Sequence, residues 1–330
     1  MESTTATNLF SIIEERISEN GNFSLLENIT LQDDAFHKTY DFFHIETWYF
    51  DGVFDNNYSM VFVITVVQKG NRGFVLISFS LYQDSDLIVF SREMSLLRHL
   101  LISENKPFLE LCNILNLTGD VDYVTNNWVY DFLLEIDELV VNLHFVNITK
   151  GWKTDIRGGW WLVVPSLNVT GWILLNGENI SIFGNGFHDH NWFYIFTPFI
   201  QKGWHYVSLE GNLLGITWAK VMKNRFTGEV IAVLNQKDMN PLLINPDEVT
   251  LLINEYMFTH GRLIPKNYSL KIENERLLVD VRMETLNIHY IKLPLMNYWR
   301  YHIRVKGIIS LDQISEEVNT VKISELMKFF

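Results

Sequence analysis

The stretch Gly184-Asn185-Gly186-Phe187-His188-Asp189-His190-Asn191-Trp192 sets three titratable groups side by side near the middle of the chain. Burying two histidines that flank an aspartate costs free energy unless each side chain finds a hydrogen-bond partner or a task. If the segment is extended, alternation places His188 and His190 on one face and Asp189 on the other. That arrangement can position a carboxyl group for proton transfer, so the sequence predicts a catalytic site at this segment.

The residues on both sides of this motif form short β-rich runs separated by turn signals, among them the hairpin signal Asn176-Gly177. Before the motif, the pattern predicts strands at 45–54, 58–68, 73–82, 127–136, 138–148, 160–164, 169–175 and 179–183. After it, the pattern predicts strands at 205–209, 214–222, 229–234, 248–258, 269–273, 276–286 and 299–309. Two successive sets of antiparallel strands predict an all-β fold of two barrels or sandwiches in tandem.

Three segments depart from the strand pattern and predict peripheral helices. Apolar residues at helical spacing predict an amphipathic helix over residues 8–19. Met94, Leu97, Leu100 and Leu101 suggest a helix within 91–116, which Pro107 ends or interrupts. Residues 313–328 have a helical pattern or form a surface tail.

Composition narrows the class of partner. The chain has 330 residues and a net charge of −13, which disfavours nucleic acid or an anionic membrane surface as the main partner. Aromatic residues make up 14 %, which suits either aromatic-rich sheet packing or a cavity for a large apolar ligand. The apolar runs have the length of strands, so no transmembrane helix is expected. The N-terminus lacks a signal-peptide pattern, and we expect a cytoplasmic protein.

The central motif resembles the signature of the carotenoid 1,2-hydratase (hydroxyneurosporene synthase) family. That signature reads Gly-x-Gly-Tyr-His-Asp-His-Asn-Trp-Gly, and the family is related to lipocalin-like Diels–Alder cyclases. His44-Ile45-Glu46-Thr47-Trp48-Tyr49 resembles the first-strand pattern of these proteins. The stretch Trp160-Trp161-Leu162-Val163-Val164-Pro165 and the late Tyr298-Trp299-Arg300 are also similar. The resemblance covers roughly residues 40 to 310, in the same order.

The resemblance implies two consecutive lipocalin-like antiparallel β-barrels with a ligand site at or between them. We accordingly divide the chain into an N-terminal helical segment (1–30), a first barrel (31–198) and a second barrel (199–330). The resemblance also implies hydratase, cyclase or isomerase chemistry on an apolar isoprenoid or polyene, and we expect no cofactor. Two positions depart from the family signature: Phe187 replaces a tyrosine, and Phe193 replaces a glycine.

Protonating an unactivated alkene requires a carboxylic acid that apolar surroundings keep protonated, and aromatic rings stabilise the resulting cation. Asp189 is the candidate acid, and His188 and His190 are candidates to orient it, relay protons or position water. The residues expected to line the ligand site are Phe187, Trp192, Trp48, Trp161, Trp218 and Arg300.

Several alternatives compete with this mechanism. The protein is a non-catalytic lipid or isoprenoid carrier if the motif is only a structural network. A metal site would use His188 and His190 with a third histidine from 205, 260, 289 or 302, but no helical metal motif supports it and we expect no metal. Glu46 is either a second acid or the buried partner of an arginine. Arg300 either pairs with acidic neighbours or contacts the ligand or the Asp189 region.

Overall fold

The computed structural model describes residues 26–40, 42–156, 159–224, 227–293 and 296–329. Within these ranges the chain is built almost entirely from antiparallel strands in two sheets, one of which curls into a near-barrel and the other into a half-barrel. The all-β, tandem lipocalin-like fold expected from the sequence is confirmed.

The first sheet, called the first barrel, contains thirteen strands. They are β1 (Glu27–Asn28), β2 (His44–Phe54), β3 (Tyr58–Lys69), β4 (Arg72–Gln83), β5 (Asp86–Leu96), β6 (Leu100–Ile102), β7 (Phe108–Leu111), β8 (Leu115–Asp122), β9 (Asn127–Ile136), β10 (Leu139–Asn147), β11 (Trp152–Ile156), β12 (Gly159–Leu175) and β13 (Glu178–Tyr194). Its main path runs β5-β4-β3-β2-β13-β12-β10-β9-β8-β7-β6, and β11 joins β12 to β1.

The second sheet, called the second barrel, contains nine strands. They are β14 (Gly203–Glu210), β15 (Leu214–Met222), β16 (Gly228–Gln236), β17 (Leu242–Leu243), β18 (Val249–Thr259), β19 (Arg262–Glu273), β20 (Leu277–Leu293), β21 (Met296–Leu311) and β22 (Ile314–Phe329). The path runs β17-β16-β15-β14-β22-β21-β20-β19-β18. In both barrels the last strand returns to pair with the first long strand, so the two barrels share one topology.

Helix is scarce in the described residues. The chain forms one α-helix, α1 (Thr197–Ile200), between the barrels, and 3₁₀ turns at Leu97–His99 and Pro246–Glu248. No described helix has the length and apolar character needed to cross a lipid bilayer.

Two of the predicted helices are wrong. Residues 91–116 form the end of β5, a 3₁₀ turn, β6, β7 and the start of β8, and residues 313–328 lie in β22. In both places pairing with neighbouring strands overrides a local spacing that is compatible with a helix. The predicted helix at 8–19 lies outside the described residues.

Three apolar clusters hold the fold together. One fills each barrel, and the third lies between the barrels. The interbarrel cluster includes Tyr49, Trp161 and Phe187 of the first barrel and Tyr206 and Ile323 of the second. Because β13 alternates, its residues reach both the first barrel's core and this interbarrel cluster.

Candidate functional site

The central motif divides between two environments. Asp189 lies opposite Tyr49 of β2 and Val163 of β12 in the register of the first barrel. His188 and His190 point into the first barrel, where His188 stacks on Phe50 with ring centroids 4.1 Å apart. Asp189 points the other way, toward the second barrel. The alternation predicted from the sequence is confirmed, and neither histidine hydrogen-bonds to Asp189.

Inside the first barrel, the two histidines converge on Asp34, which the sequence analysis did not single out. The Nε2 atom of His188 lies 3.1 Å from Asp34 Oδ2, and the Nδ1 atom of His190 lies 3.0 Å from Asp34 Oδ1. The Tyr130 hydroxyl donates to Asp34 Oδ2 at 2.7 Å. All four side chains are fully buried. They form a satisfied polar network in an apolar core.

A second carboxylate extends this network. Glu46 Oε1 lies 3.0 Å from His190 Nε2 and 2.8 Å from His37 Nδ1. Burial alone would disfavour a charged imidazole, but the hydrogen bonds to Asp34 and Glu46 outweigh it and raise the pKa of His190 to about 9. Burial likewise opposes ionisation of Asp34, but the charges and hydrogen bonds of His188 and His190 hold its pKa well below the ordinary value. Glu46 therefore pairs with histidines, and the arginine partner expected for it is wrong.

The ligand types of His37, Glu46 and His190 would suit a metal ion, since three donor atoms lie within 4.8 Å of one another. In the structure the Glu46 carboxylate hydrogen-bonds directly to both rings. The metal site considered from the sequence used different ligands, namely His188 and His190 with a third histidine. His188 and His190 share Asp34 instead, while His205 and His302 lie in the second barrel. A cavity of about 160 Å³ adjoins His37 at the rim of the first barrel.

Asp189 lines a cleft between the two barrels. The cavity in this cleft has a volume of about 30 Å³. Its walls include Ile156, Trp161 and Phe193 from the first barrel, Trp204, Tyr206 and Val221 from the second, and Gln201 from the connection. The Nε1–H of Trp161 donates to Asp189 Oδ2 at 3.2 Å, and the Asn191 amide donates to Oδ1 at 2.7 Å.

The electrostatics of Asp189 differ from those of Asp34. Burial raises the pKa of Asp189 well above its ordinary value, and the negative charge of Glu325 in the second barrel raises it further. Hydrogen bonding from Trp161 only partly offsets these effects. None of the ion pairs among the described residues includes Asp189. These surroundings therefore favour the protonated form of the Asp189 carboxyl group.

Arg300 does not contact Asp189. Its Nε lies 3.1 Å from Glu325 Oε1, and its Nη1 donates to Ser80 Oγ at 2.9 Å and to the Tyr82 hydroxyl at 3.0 Å. These bonds join β21 of the second barrel to β4 of the first. The expected pairing of Arg300 with an acidic neighbour is confirmed, and the guanidinium ties the barrels together.

The six residues expected to line the ligand site are dispersed. Trp161 lines the interbarrel cleft and Phe187 packs beside it, 5.6 Å from the Tyr206 ring. Trp48 stacks on His190 inside the first barrel, with ring centroids 4.3 Å apart. Trp192 lies 5.4 Å from the His44 ring, and Trp218 lies inside the second barrel, 5.2 Å from the His205 ring. These tryptophans therefore do not share one cavity.

Sequence reasoning missed Asp34, Gln201 and Tyr206. Asp34 is separated from His188 by 154 positions, so only the fold brings them together. Tyr206 had a local signal: it alternates along β14 with His205, as Tyr49 alternates with Trp48 along β2. Gln201 follows α1 in the connection between barrels and had no signal.

The two sheets share one topology and meet beside β13, the strand that carries the central motif, which gives the described chain a tandem lipocalin-like fold. No protein-family model matches the sequence, and a comparison with curated proteins gives no significant match.

Three solved structures are similar to this chain. A Nitrosomonas europaea protein that carries the provisional name AttH aligns with 92 % of this chain and 98 % of its own, at 14 % identity and a TM-score of 0.66. Kievitone hydratase from Nectria haematococca aligns with 96 % of this chain and 97 % of its own, at 11 % identity and a TM-score of 0.51. CghA, solved with Sch210972, aligns with 87 % of this chain and 89 % of its own, at 11 % identity and a TM-score of 0.48.

Proposed function

We propose that this protein is an acid catalyst that hydrates, cyclises or isomerises an apolar isoprenoid or polyene, with Asp189 as the proton donor. The observation that carries the proposal is a buried carboxyl group that lines an aromatic cleft and belongs to no ion pair among the described residues. The fold is shared with an enzyme named kievitone hydratase, which supports the proposal.

The environment of Asp189 suits proton transfer to carbon. The raised pKa favours the protonated carboxyl group, which is the form that acts as a general acid. The rings of Trp161 and Tyr206 line the same cleft, and their π-faces would stabilise a carbocation formed beside them. After proton transfer the carboxylate is unstable in this apolar setting, which drives it to recover a proton from the intermediate.

His188 and His190 act in this proposal as positioning residues. Their bonds to Asp34 and Glu46 fix the inward face of β13, and the outward direction of Asp189 follows from the strand geometry. Phe187 packs against Tyr49 and Tyr206 on the outward face. The first barrel's ionic network thus holds the acid without contacting it.

The cleft must widen to admit a substrate. A cavity of about 30 Å³ holds only two or so water molecules, whereas sites for small organic ligands usually enclose roughly 300–1,000 Å³. Substrate binding therefore requires wall side chains to turn or the barrels to separate locally. Aromatic side chains on both walls offer apolar surface that such an opening would expose to the substrate.

The test compares Asp189→Asn with Asp51→Asn in deuterated water. Asp51 is a matched control because it is also a buried carboxyl group at the interface, but it bonds to the Tyr49 hydroxyl and does not line the cleft. The linear isoprenoids geraniol, myrcene and lycopene serve as probes, and mass spectrometry detects deuterium on carbon and added water.

We expect deuterated products from the wild type and from Asp51→Asn, and a loss of at least about a hundredfold in Asp189→Asn. The rate should also fall as pH rises through the raised pKa of Asp189, since only the protonated acid donates. Unchanged turnover by Asp189→Asn would exclude this mechanism. Tight binding of the probes without deuterium incorporation would instead identify a carrier.

A further inference from the structure

Two residues that line the interbarrel cleft each have a buried polar atom with unused hydrogen-bonding capacity. The hydroxyl of Tyr206 and the Oε1 atom of Gln201 are buried, and neither has a hydrogen-bond partner among the described residues. Tyr206 is 4 % exposed and Gln201 is 1 % exposed. Both residues line the cavity that Asp189 lines.

Two such atoms on one small cavity point to a bound polar group. A buried donor or acceptor without a partner is costly, and folded proteins rarely tolerate it unless a ligand or ordered water supplies the missing bond. The cavity volume of about 30 Å³ exceeds the 10–15 Å³ or so that one water molecule needs. The space and the unused polar atoms therefore match a small polar group.

The chemistry of the two atoms selects the kind of group. The Tyr206 hydroxyl can donate a hydrogen bond, and the amide oxygen of Gln201 can only accept one. A group that accepts from the first and donates to the second must carry a lone pair and an O–H or N–H. A carboxylate has no hydrogen to give to Gln201, and an ammonium ion, which could donate to both oxygens, would bring a charge into the apolar cleft. A hydroxyl group satisfies both atoms and remains neutral in an apolar cleft.

The hydroxyl group of Tyr206 differs in its hydrogen bonding from that of Tyr49, the tyrosine at the equivalent position of the first barrel. Tyr49 pairs with Asp189 across β2 and β13, and Tyr206 pairs with Glu325 across β14 and β22. The hydroxyl of Tyr49 donates to Asp51 at 3.2 Å, whereas the hydroxyl of Tyr206 is free for a ligand. Phe187, which offers no hydroxyl of its own, lies 5.6 Å from the Tyr206 ring.

We infer that Tyr206 and Gln201 form a hydroxyl-binding subsite beside Asp189, which extends the proposed function and rests on it. The occupant is either the water that reacts or the terminal hydroxyl of an isoprenoid alcohol. With water, the π electrons of the alkene take the Asp189 proton to form a C–H bond. The water oxygen then forms a C–O bond with the cation, and its surplus proton returns to the Asp189 carboxylate. The net reaction adds one water to the alkene.

Crystallography tests the subsite without relying on turnover. We expect density within hydrogen-bonding distance of both Tyr206 Oη and Gln201 Oε1 in wild-type crystals, either without ligand or after soaking with geraniol. Tyr206→Phe and Gln201→Met should lose it, and the matched control Tyr49→Phe should retain it. Absence of density at this position in both wild-type crystals would overturn the subsite.

Turnover of two probes then identifies the occupant. Geraniol carries a hydroxyl group, and myrcene is a hydrocarbon of the same carbon count. If the subsite holds water, Tyr206→Phe should slow hydration of both probes about tenfold, as expected for one lost hydrogen bond. If it holds the substrate hydroxyl, the variant should raise KM for geraniol about tenfold and leave myrcene unchanged.

The two proposals fail in different ways. Deuterium incorporation that depends on Asp189, together with identical kinetics for Tyr206→Phe and wild type on both probes, would overturn the subsite and leave the acid mechanism standing. Density at the subsite together with full activity of Asp189→Asn would overturn the acid mechanism and leave the subsite standing. Circular dichroism of both Tyr206→Phe and Gln201→Met confirms folding before either comparison is made.

Discussion

The two barrels present one strand arrangement with different chemistry. In each, the last strand pairs with the first long strand and carries a buried carboxyl group opposite a tyrosine of that strand. These pairs are Asp189 with Tyr49 in the first barrel and Glu325 with Tyr206 in the second. Both carboxyl groups lie in the region where the barrels meet.

The two carboxyl groups differ in their partners. Glu325 is bonded to the guanidinium of Arg300, which in turn bonds to the first barrel. Among the described residues, Asp189 receives its side-chain hydrogen bonds from the neutral groups of Trp161 and Asn191. A carboxylate with a buried cation is a structural link, while burial without a cation favours the protonated form of a carboxyl group. Equivalent positions in a repeated fold have thus diverged into a brace and a candidate acid.

The interiors of the two barrels also differ in how they bury ionisable side chains. The first barrel buries the carboxylates of Asp34 and Glu46 against histidines. The second barrel buries His205 among aromatic rings, with Tyr268 at 4.8 Å and Trp218 at 5.2 Å. Burial, together with the positive charges of lysines, lowers the pKa of His205 to about 3, so this imidazole is neutral. Apolar side chains fill both interiors, but the first also contains buried ion pairs, whereas His205 in the second lies among aromatic rings.

Asp34→Asn should produce the largest effect, because it removes the carboxylate that holds both histidines of β13. Breaking a buried ion pair typically costs 3–5 kcal/mol, and the loss of bonds to His188, His190 and Tyr130 places this variant near the upper end, about 4–5 kcal/mol. Urea unfolding at neutral pH measures the change. Asp33→Asn is the neighbouring control, since its partly exposed pair with Lys153 is worth about 1 kcal/mol or less. Equal losses in the two variants would contradict an ionic first-barrel core.

Glu325→Gln and Asp189→Asn sharpen the comparison between the carboxyl groups. The first change leaves the buried charge of Arg300 without its counter-ion and should cost about 3 kcal/mol. The second replaces one neutral side chain by another, keeps an acceptor for Trp161, and should cost less than about 1 kcal/mol. Chemical denaturation of both variants measures the difference. A cost for Asp189→Asn as large as that for Glu325→Gln would mean that Asp189 is ionised and paired.

The strands that could be predicted from the sequence are those with local signals. The β-rich run at 58–68 corresponds to β3, and Asn176-Gly177 lies between the end of β12 at Leu175 and the start of β13 at Glu178. The direction of Asp189 also followed from alternation, because side-chain direction in a strand repeats every two residues whatever the fold.

The features that could not be predicted depend on contacts distant in sequence. In β22, charged and apolar residues such as Glu316, Val318 and Lys322 are compatible with a helix, and only pairing with β14 and β21 makes the segment a strand. Asp34 lies outside the strands, and it becomes the centre of a network only when the barrel closes around it. The prediction of an arginine partner for Glu46 was wrong for the same reason, because a buried carboxylate indicates a cationic partner without identifying which residue supplies it.

Lowering the pH should destabilise the protein, because the second barrel buries His205 in its neutral form. The pKa of His205 is about 3 in the folded protein and near 6.5 in the unfolded chain, so only the unfolded chain takes up a proton as pH falls below 6.5. The stability contributed by the neutral imidazole is present above pH 6.5 or so and is lost progressively toward about pH 3. Between about pH 7.5 and about pH 5 this one group should remove about 2 kcal/mol.

His205→Asn isolates this contribution, because every other titrating group stays the same in both proteins. The free energy of unfolding of the wild type should decrease by about 2 kcal/mol more than that of the variant over the same pH interval. Urea unfolding at the two pH values gives both slopes. Parallel pH dependences would mean that the folded second barrel accommodates a charged His205, and the contrast between an ionic and a neutral interior would then not hold.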